Sequence, residues 1–297
     1  MKRTNSSKSI KKPLARTDWA EKYVEMLVGL PFISEFVFRS PKRLKNDREI
    51  ADLLISQGET NIVFSQKCQL DPDSKSKEKN DLWVLKNTKN GLSQLQGGLK
   101  KLTTEGFWCD HPRQRRVEIS TPLSKIDEAI VLVETRVKVD LNCDTAAFPL
   151  KHNDIPITYL SVDDFLFLVN ELRTVPELLR YLSERRALAE ADLRVIGDEK
   201  NLFLIYVFKD RHFDGCKTRL DAEKILDQEK EKVSVAIQFK KSNDIYCELL
   251  ERVAHALSVR NPNLPKEMET YYEPAQNRNG YLKMQLAIAD LDLPERM

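Results

Sequence analysis

Two charged residues interrupt stretches that are otherwise apolar. Asp52 sits within Ala51-Asp52-Leu53-Leu54-Ile55, and Lys67 breaks the run from Ile62 to Cys68 just as abruptly. Strand alternation puts Ser65 and Lys67 on one face and Gln66 on the other. An aspartate and a lysine brought onto neighbouring strands have two readings. They neutralise one another as a half-buried ion pair at the end of a sheet, which contributes little net stability, or they act together on a third group.

The elements that must position them follow from periodicity. Trp19, Tyr23, Met26, Leu27 and Leu30 recur at three and four, predicting an amphipathic helix capped by Thr17 or Asp18 and ended by Gly29 and Pro31. Phe32, Ile33, Phe36, Val37 and Phe38 predict an aromatic-rich strand closed by Ser40-Pro41, followed by a basic loop from Lys42 to Arg48. Ile50 to Ser56 and Asn61 to Cys68 then read as a hairpin across the turn Gln57-Gly58-Glu59-Thr60. After a charged loop over 71–81, Asp81 is expected to cap a helix to about Leu102, with Leu85, Leu92, Leu95, Leu99 and Leu102 on one stripe. Its glycines 91, 97 and 98 either weaken it or allow close packing. Val117 to Ser120 and Glu128 to Val133 close the unit as strands, the second apolar enough to be buried on both faces.

An acid on one strand and an x-K ending on the next, preceded by helix and strand and followed by helix and strand, resembles the PD-(D/E)xK phosphodiesterase superfamily, with its restriction-endonuclease-like fold and Mrr-type nucleases. Glu49-Ile50-Ala51-Asp52-Leu53-Leu54-Ile55 resembles the segment bearing that superfamily's metal-binding aspartate. Phe64-Ser65-Gln66-Lys67 resembles its (D/E)-x-K strand, and the helix around Trp19-Ala20-Glu21 resembles the leading helix. The resemblance spans roughly residues 18 to 135. It implies an α/β fold with an αβββαβ core and metal-dependent hydrolysis of phosphodiester bonds in DNA, or in RNA, with Mg²⁺ or Mn²⁺ as cofactor. Asp52 would be the principal metal ligand, and Lys67 would orient the attacking water and stabilise the developing charge. The chain departs from the pattern at Ser65, where an acid is expected and a hydroxyl can bind metal only weakly. Glu49 or Glu21 would then supply the missing charge; otherwise the fold binds nucleic acid or a protein partner without cutting. Glu49 joins the site only if the start of its strand turns it inward, and Glu21 lies away from its helix's apolar stripe.

Gln94-Leu95-Gln96 in the second helix resembles the glutamine that follows the core strands in several nuclease families, but the helical wheel places Gln96, not Gln94, near the apolar stripe. Lys42, Arg43, Lys45 and Arg48 before the hairpin, and Lys75, Lys77 and Lys79 after it, would bind phosphates without reading sequence. Asp47, Asp71, Asp73, Glu78 and Asp81 in the same loops offset much of that field.

Composition limits the alternatives. Across 297 residues, 48 Lys plus Arg against 46 Asp plus Glu leave a net charge of +2, so only local basic patches are available for nucleic acid. With nine glycines, and neither G-x-G-x-x-G nor G-x-x-x-x-G-K-[ST], dinucleotide and P-loop chemistry lose their footing. Five widely spaced cysteines give no disulfide framework or zinc knuckle. Cys109 with His111 could supply two metal ligands, or be a loop cysteine and a surface histidine. No apolar run approaches the ~18 residues of a membrane span, and the N-terminus lacks the apolar core of a secretory signal, so the cytoplasm is the expected compartment.

Residues 1–17 carry six Lys or Arg and no acid, reading as a solvated tail or as a basic arm along a phosphate backbone. The α/β unit is expected over 18–142, with a mostly helical accessory region over 150–297 that could hold a protein partner. There, Ser161 caps a helix to about Arg173, Thr174-Val175-Pro176-Glu177 opens another to about Ala191, and 219–232 is helical in period. Asn201 to Phe208 is either strand or buried helix, and Ser242 begins a further helix. A bacterial defence or DNA-processing role would follow from the resemblance alone.

Overall fold

The computed structural model describes residues 36–69, 76–111 and 115–241. The expected leading helix with Glu21, the basic arm, Lys75 and the helix from Ser242 lie outside the described residues. The described chain is α/β, built on an eight-stranded mixed sheet in the order β5-β4-β1-β2-β3-β6-β9-β8. These strands are β1 (Val37–Arg43), β2 (Leu53–Gln57), β3 (Thr60–Lys67), β4 (Phe107–His111), β5 (Arg115–Ile119), β6 (Glu128–Val133), β8 (Lys151–His152) and β9 (Ile155–Ser161). A short β7 (Val139–Asp140) pairs outside the sheet with β10 (Val195–Ile196).

β1, β2 and β3 form an antiparallel meander, whereas β6 lies parallel to β3 and β9 parallel to β6. The apolar run Glu128–Val133 is buried along its whole length, as a central parallel strand covered on both faces must be. The expected hairpin forms with Leu53 opposite Phe64 and Gln57 opposite Thr60. The first strand, by contrast, does not stop at Ser40-Pro41. Ser40 takes a left-handed φ of 44°, the register against β4 shifts between Arg39 and Lys42, and the strand continues beyond this irregularity to Arg43.

Helix α1 (Lys77–Leu102) covers one face, with Leu92, Leu95, Leu99 and Leu102 against Leu54, Val63, Val131, Val133 and Tyr159. It begins after Ser76 rather than at Asp81, so the charged stretch expected as loop supplies its first turn. Two of its glycines permit the close approach. A Cβ on Gly98 would stand 2.4 Å from the Ile50 carbonyl oxygen, and one on Gly91 would stand 3.1 Å from Val131 Cγ1 and 3.4 Å from Ser65 Oγ.

The other face carries α2 (Val162–Leu172), α3 (Val175–Arg185), α4 (Glu190–Leu193), α5 (Glu199–Phe208) and α6 (Arg219–Gln228), followed by a helix over 230–241. Phe165, Leu178, Tyr181, Phe203 and Tyr206 pack there on Leu53, Ile55, Phe64 and Ile130. The Ser161 hydroxyl caps α2 by accepting from the Asp164 N–H at 2.9 Å, and Thr174 caps α3 through the Glu177 N–H. The ambiguous apolar segment is helical, as α5, and α3 stops at Arg185, short of Ala191.

Candidate functional site

Asp52, Ser65 and Lys67 meet where β2 begins and β3 ends. The Asp52 N–H donates to the Phe64 carbonyl at 3.1 Å, setting the aspartate beside Ser65 on the face that carries Leu54 and Val63. Lys67 pairs with Val133, and Val133 with Ser161. The cluster therefore stands at the carboxyl end of three adjacent parallel strands, where crevices of open α/β sheets receive ligands.

The Asp52 carboxylate is held from three sides. Its Oδ2 accepts from the Gln66 N–H at 2.6 Å and from the Ser65 hydroxyl at 3.1 Å. Lys67 Nζ lies 3.7 Å from the same oxygen, with the lysine and aspartate side chains 21% and 24% exposed. Ser65 is completely buried beneath α1, so its hydroxyl serves the aspartate instead of facing solvent. Two hydrogen bonds and the neighbouring ammonium fix the orientation of this half-buried carboxylate.

Gln94 completes the arrangement. Its Oε1 accepts from Lys67 Nζ at 2.6 Å, and its Nε2 donates to Asp52 Oδ1 at 3.2 Å. One amide thus bridges acid and base, fixing both. Gln94 reaches the site although it lies off the leucine stripe, because its neighbour is the sheet end. The available signal was Gly91, one turn earlier on the same helix face, whose missing side chain lets α1 settle on Ser65 and Lys67.

Glu49 pairs with Lys42 across an isolated bridge. The residue is exposed overall, but its carboxyl sits among Ser40, Lys42, Asp52 and Lys67. Partial burial and repulsion from Asp52 raise its pKa, outweighing the Ser40 hydrogen bond and the attraction of the two lysines. Glu49 and Asp52 are therefore near enough to feel one another. Among the described residues, no group of three or more His, Cys, Asp or Glu is arranged to hold a metal.

Of the flanking cations, Arg43 is tied to Glu105 at 3.1 Å. Lys42 Nζ stands 4.6 Å and Arg116 Cζ 4.3 Å from the ring centroid of Trp108, whose indole N–H donates to Asp47 at 2.7 Å. Lys45, Arg48, Lys77 and Lys79 are exposed. Cys109 and His111 are neither loop nor surface residues. Both are buried on β4, with burial pushing the Cys109 thiol up to about 12 and His111 packed 5.3 Å from Phe38.

A second charged cluster, which sequence reading missed, lies within the helical layer. Glu199 is wholly buried and bound by Arg185, by Arg219 at 3.0 Å and by the Tyr181 hydroxyl at 2.8 Å. Burial works to raise the Glu199 pKa, but the two guanidinium groups outweigh it and hold the carboxyl below its ordinary range.

Compared with protein-family models, curated proteins and solved structures, the chain gives no match in any of the three. Its fold and site define an α/β protein with a half-buried Asp–Lys–Gln cluster at the carboxyl end of parallel strands. No helix among the described residues is long and apolar enough to cross a membrane.

Proposed function

We propose that the chain is a metal-dependent phosphodiesterase acting on DNA, with a restriction-endonuclease-like αβββαβ core. The observation that carries this reading is the convergence of Asp52, Lys67 and Gln94 at one open sheet end, next to the Glu49 carboxyl. Support comes also from the chain order: the β1–β3 meander is followed by a helix and, after the intervening β4–β5 hairpin, by β6 parallel to β3.

The donors fit a hard cation. Asp52 and Glu49 are carboxylates that repel one another, a repulsion that Mg²⁺ or Mn²⁺ would relieve, and such ions commonly use one or two carboxylates with water and substrate phosphate completing the shell. When bound, the ion would supply charge stabilisation and a more acidic water. The side chains do the rest. Ser65 and the Gln66 N–H hold Asp52 in one orientation. Gln94 holds the Lys67 ammonium beside the acid, where it can orient a water and stabilise negative charge growing on phosphorus. Lys42 and Arg116, stacked on Trp108, would engage backbone phosphates without reading sequence.

One observation favours a second reading, a nuclease fold that binds without cutting. Asp52 accepts from Ser65, Gln66 and Gln94, and Ser65 stands where the resemblance expects an acid. Incubating labelled single- and double-stranded DNA and RNA with the protein in Mg²⁺, Mn²⁺ or EDTA separates the two. The nuclease reading expects metal-dependent cleavage that Asp52→Asn lowers by about a thousandfold or more. Binding at low salt without cleavage in either metal would establish the second reading.

A further inference from the structure

Between the β8–β9 edge of the sheet and the chain leaving α3 lies a cavity of about 550 Å³, lined by no residue of the Asp52 cluster. It sits at the opposite end of the strands. Glu128, behind its wall, begins β6, while Val133, beside Lys67, ends it. Five residues of strand separate the two, about 17 Å.

The charged lining of this cavity is one-sided: Lys151, Arg185, Arg186 and Arg194 against the single acid Glu190. The four cations are not equally available. Arg185 is 3% exposed and committed to Glu199. Arg194 donates from all three nitrogens, to the Phe148 carbonyl at 3.0 Å, the Glu190 carbonyl at 3.5 Å and the Glu190 carboxylate at 3.2 Å, which leaves two of its five N–H donors. Arg186 is different. Its side chain is 36% exposed and is anchored from behind by the wholly buried Glu128, which also accepts from the Thr158 hydroxyl at 2.7 Å. The contact with Glu128 is the one side-chain hydrogen bond of Arg186 among the described residues, and a guanidinium has five N–H donors. A fixed guanidinium with four donors unspent is prepared for an anion that the protein itself does not supply. Lys151 adds an exposed ammonium with no ion-pair partner among the described residues.

We propose that this cavity binds a small phosphorylated ligand of mononucleotide size. Its volume falls within the ~300–1,000 Å³ of small-molecule sites. Arg186, Arg194 and Lys151 together carry more positive charge than their two carboxylate partners, Glu128 and Glu190, neutralise, and a phosphate monoester with close to two charges and three acceptor oxygens suits the excess. Arg186 is the bidentate anchor, Arg194 and Lys151 complete the phosphate contacts, and Ile157 and Leu188 give an apolar wall for the remainder of the ligand. The proposal does not depend on the chemistry assigned to Asp52.

The test is calorimetry and thermal shift on the full chain in EDTA, titrated with AMP, ADP, inorganic pyrophosphate and a short single-stranded oligonucleotide. Saturable binding of AMP or ADP is expected, weakened roughly tenfold or more by Lys151→Glu and by Arg186→Gln, as loss of a charge-assisted contact requires. It should change less than about twofold in Asp52→Asn. Arg186→Gln strips Glu128 of its partner and can compromise folding; Lys151→Glu lies on the surface and keeps the test decisive. No saturable mononucleotide binding up to millimolar concentration would overturn the proposal. So would binding that Lys151→Glu leaves intact, or binding of the oligonucleotide alone.

Discussion

The molecule contains two clusters in which carboxylate and cation meet, and their surroundings set them apart. Glu199 is sealed within the helical layer, with Arg185 and Arg219 at 3% and 4% exposure. Asp52 and Lys67 stand at a strand end with about a fifth to a quarter of each side chain open. In the first cluster Tyr181, Arg185 and Arg219 converge on one wholly buried carboxylate. In the second, a neutral glutamine bridges the ions, and a further carboxylate waits beside them. Burial with full pairing ties helices together; partial exposure with neighbouring charge suits chemistry. The same pair of residue types thus serves different ends according to what covers it.

That contrast is breakable, first on the buried side. Glu199→Gln leaves two buried guanidinium groups without their countercharge and should cost about 3–5 kcal/mol in chemical denaturation, a large share of the ~5–15 kcal/mol of a whole domain. The pH dependence has a definite sign. Because the folded Glu199 pKa is depressed, its stabilisation is complete above the ordinary carboxylate value of 4.5 and is lost as pH falls through the lower folded value. The variant should show a correspondingly shallower loss of stability in acid.

On the open side, Gln94→Ala should lower cleavage by about tenfold, because Asp52 and Lys67 lose the amide that holds them together. Stability should change by only about 1 kcal/mol, since the pair is partly solvated. A loss of stability as large as that of Glu199→Gln would move Gln94 to the structural side of the comparison. The smallest effect expected is in the pH profile. Glu49 must be ionised to help hold a cation, and its pKa is raised by burial and by Asp52, so cleavage should climb with pH on a limb lying above 4.5. Glu49→Gln should remove that limb.

Much of this was readable from the chain, and what was not has physical causes. The β2–β3 hairpin and β6 were legible because apolar alternation and a long apolar run leave little choice of face. Ser161 and Thr174 announced their helices through capping chemistry. Helix α1 was misplaced at its start because Lys77, Glu78 and Lys79 are exposed and carry no apolar period. β1 passes through Ser40-Pro41 because a local register shift accommodates residues that would otherwise end a strand. Asp52 and Lys67 stood out as charges within apolar strands, whereas Gln94 enters the site from a helix 27 residues beyond Lys67. Glu199 was invisible for a related reason. Its partners come from α3 and α6, 14 and 20 residues away, and only packing on the sheet unites them.

Lys67→Ala, measured for unfolding free energy and for metal-dependent DNA cleavage in the same preparation, tests the central claim most directly. The account predicts cleavage lowered by about a thousandfold or more with stability changed by only about 1 kcal/mol. Cleavage that persists undiminished, or a loss of stability matching that of Glu199→Gln, would contradict it and make the Asp52–Lys67 pair a structural tie.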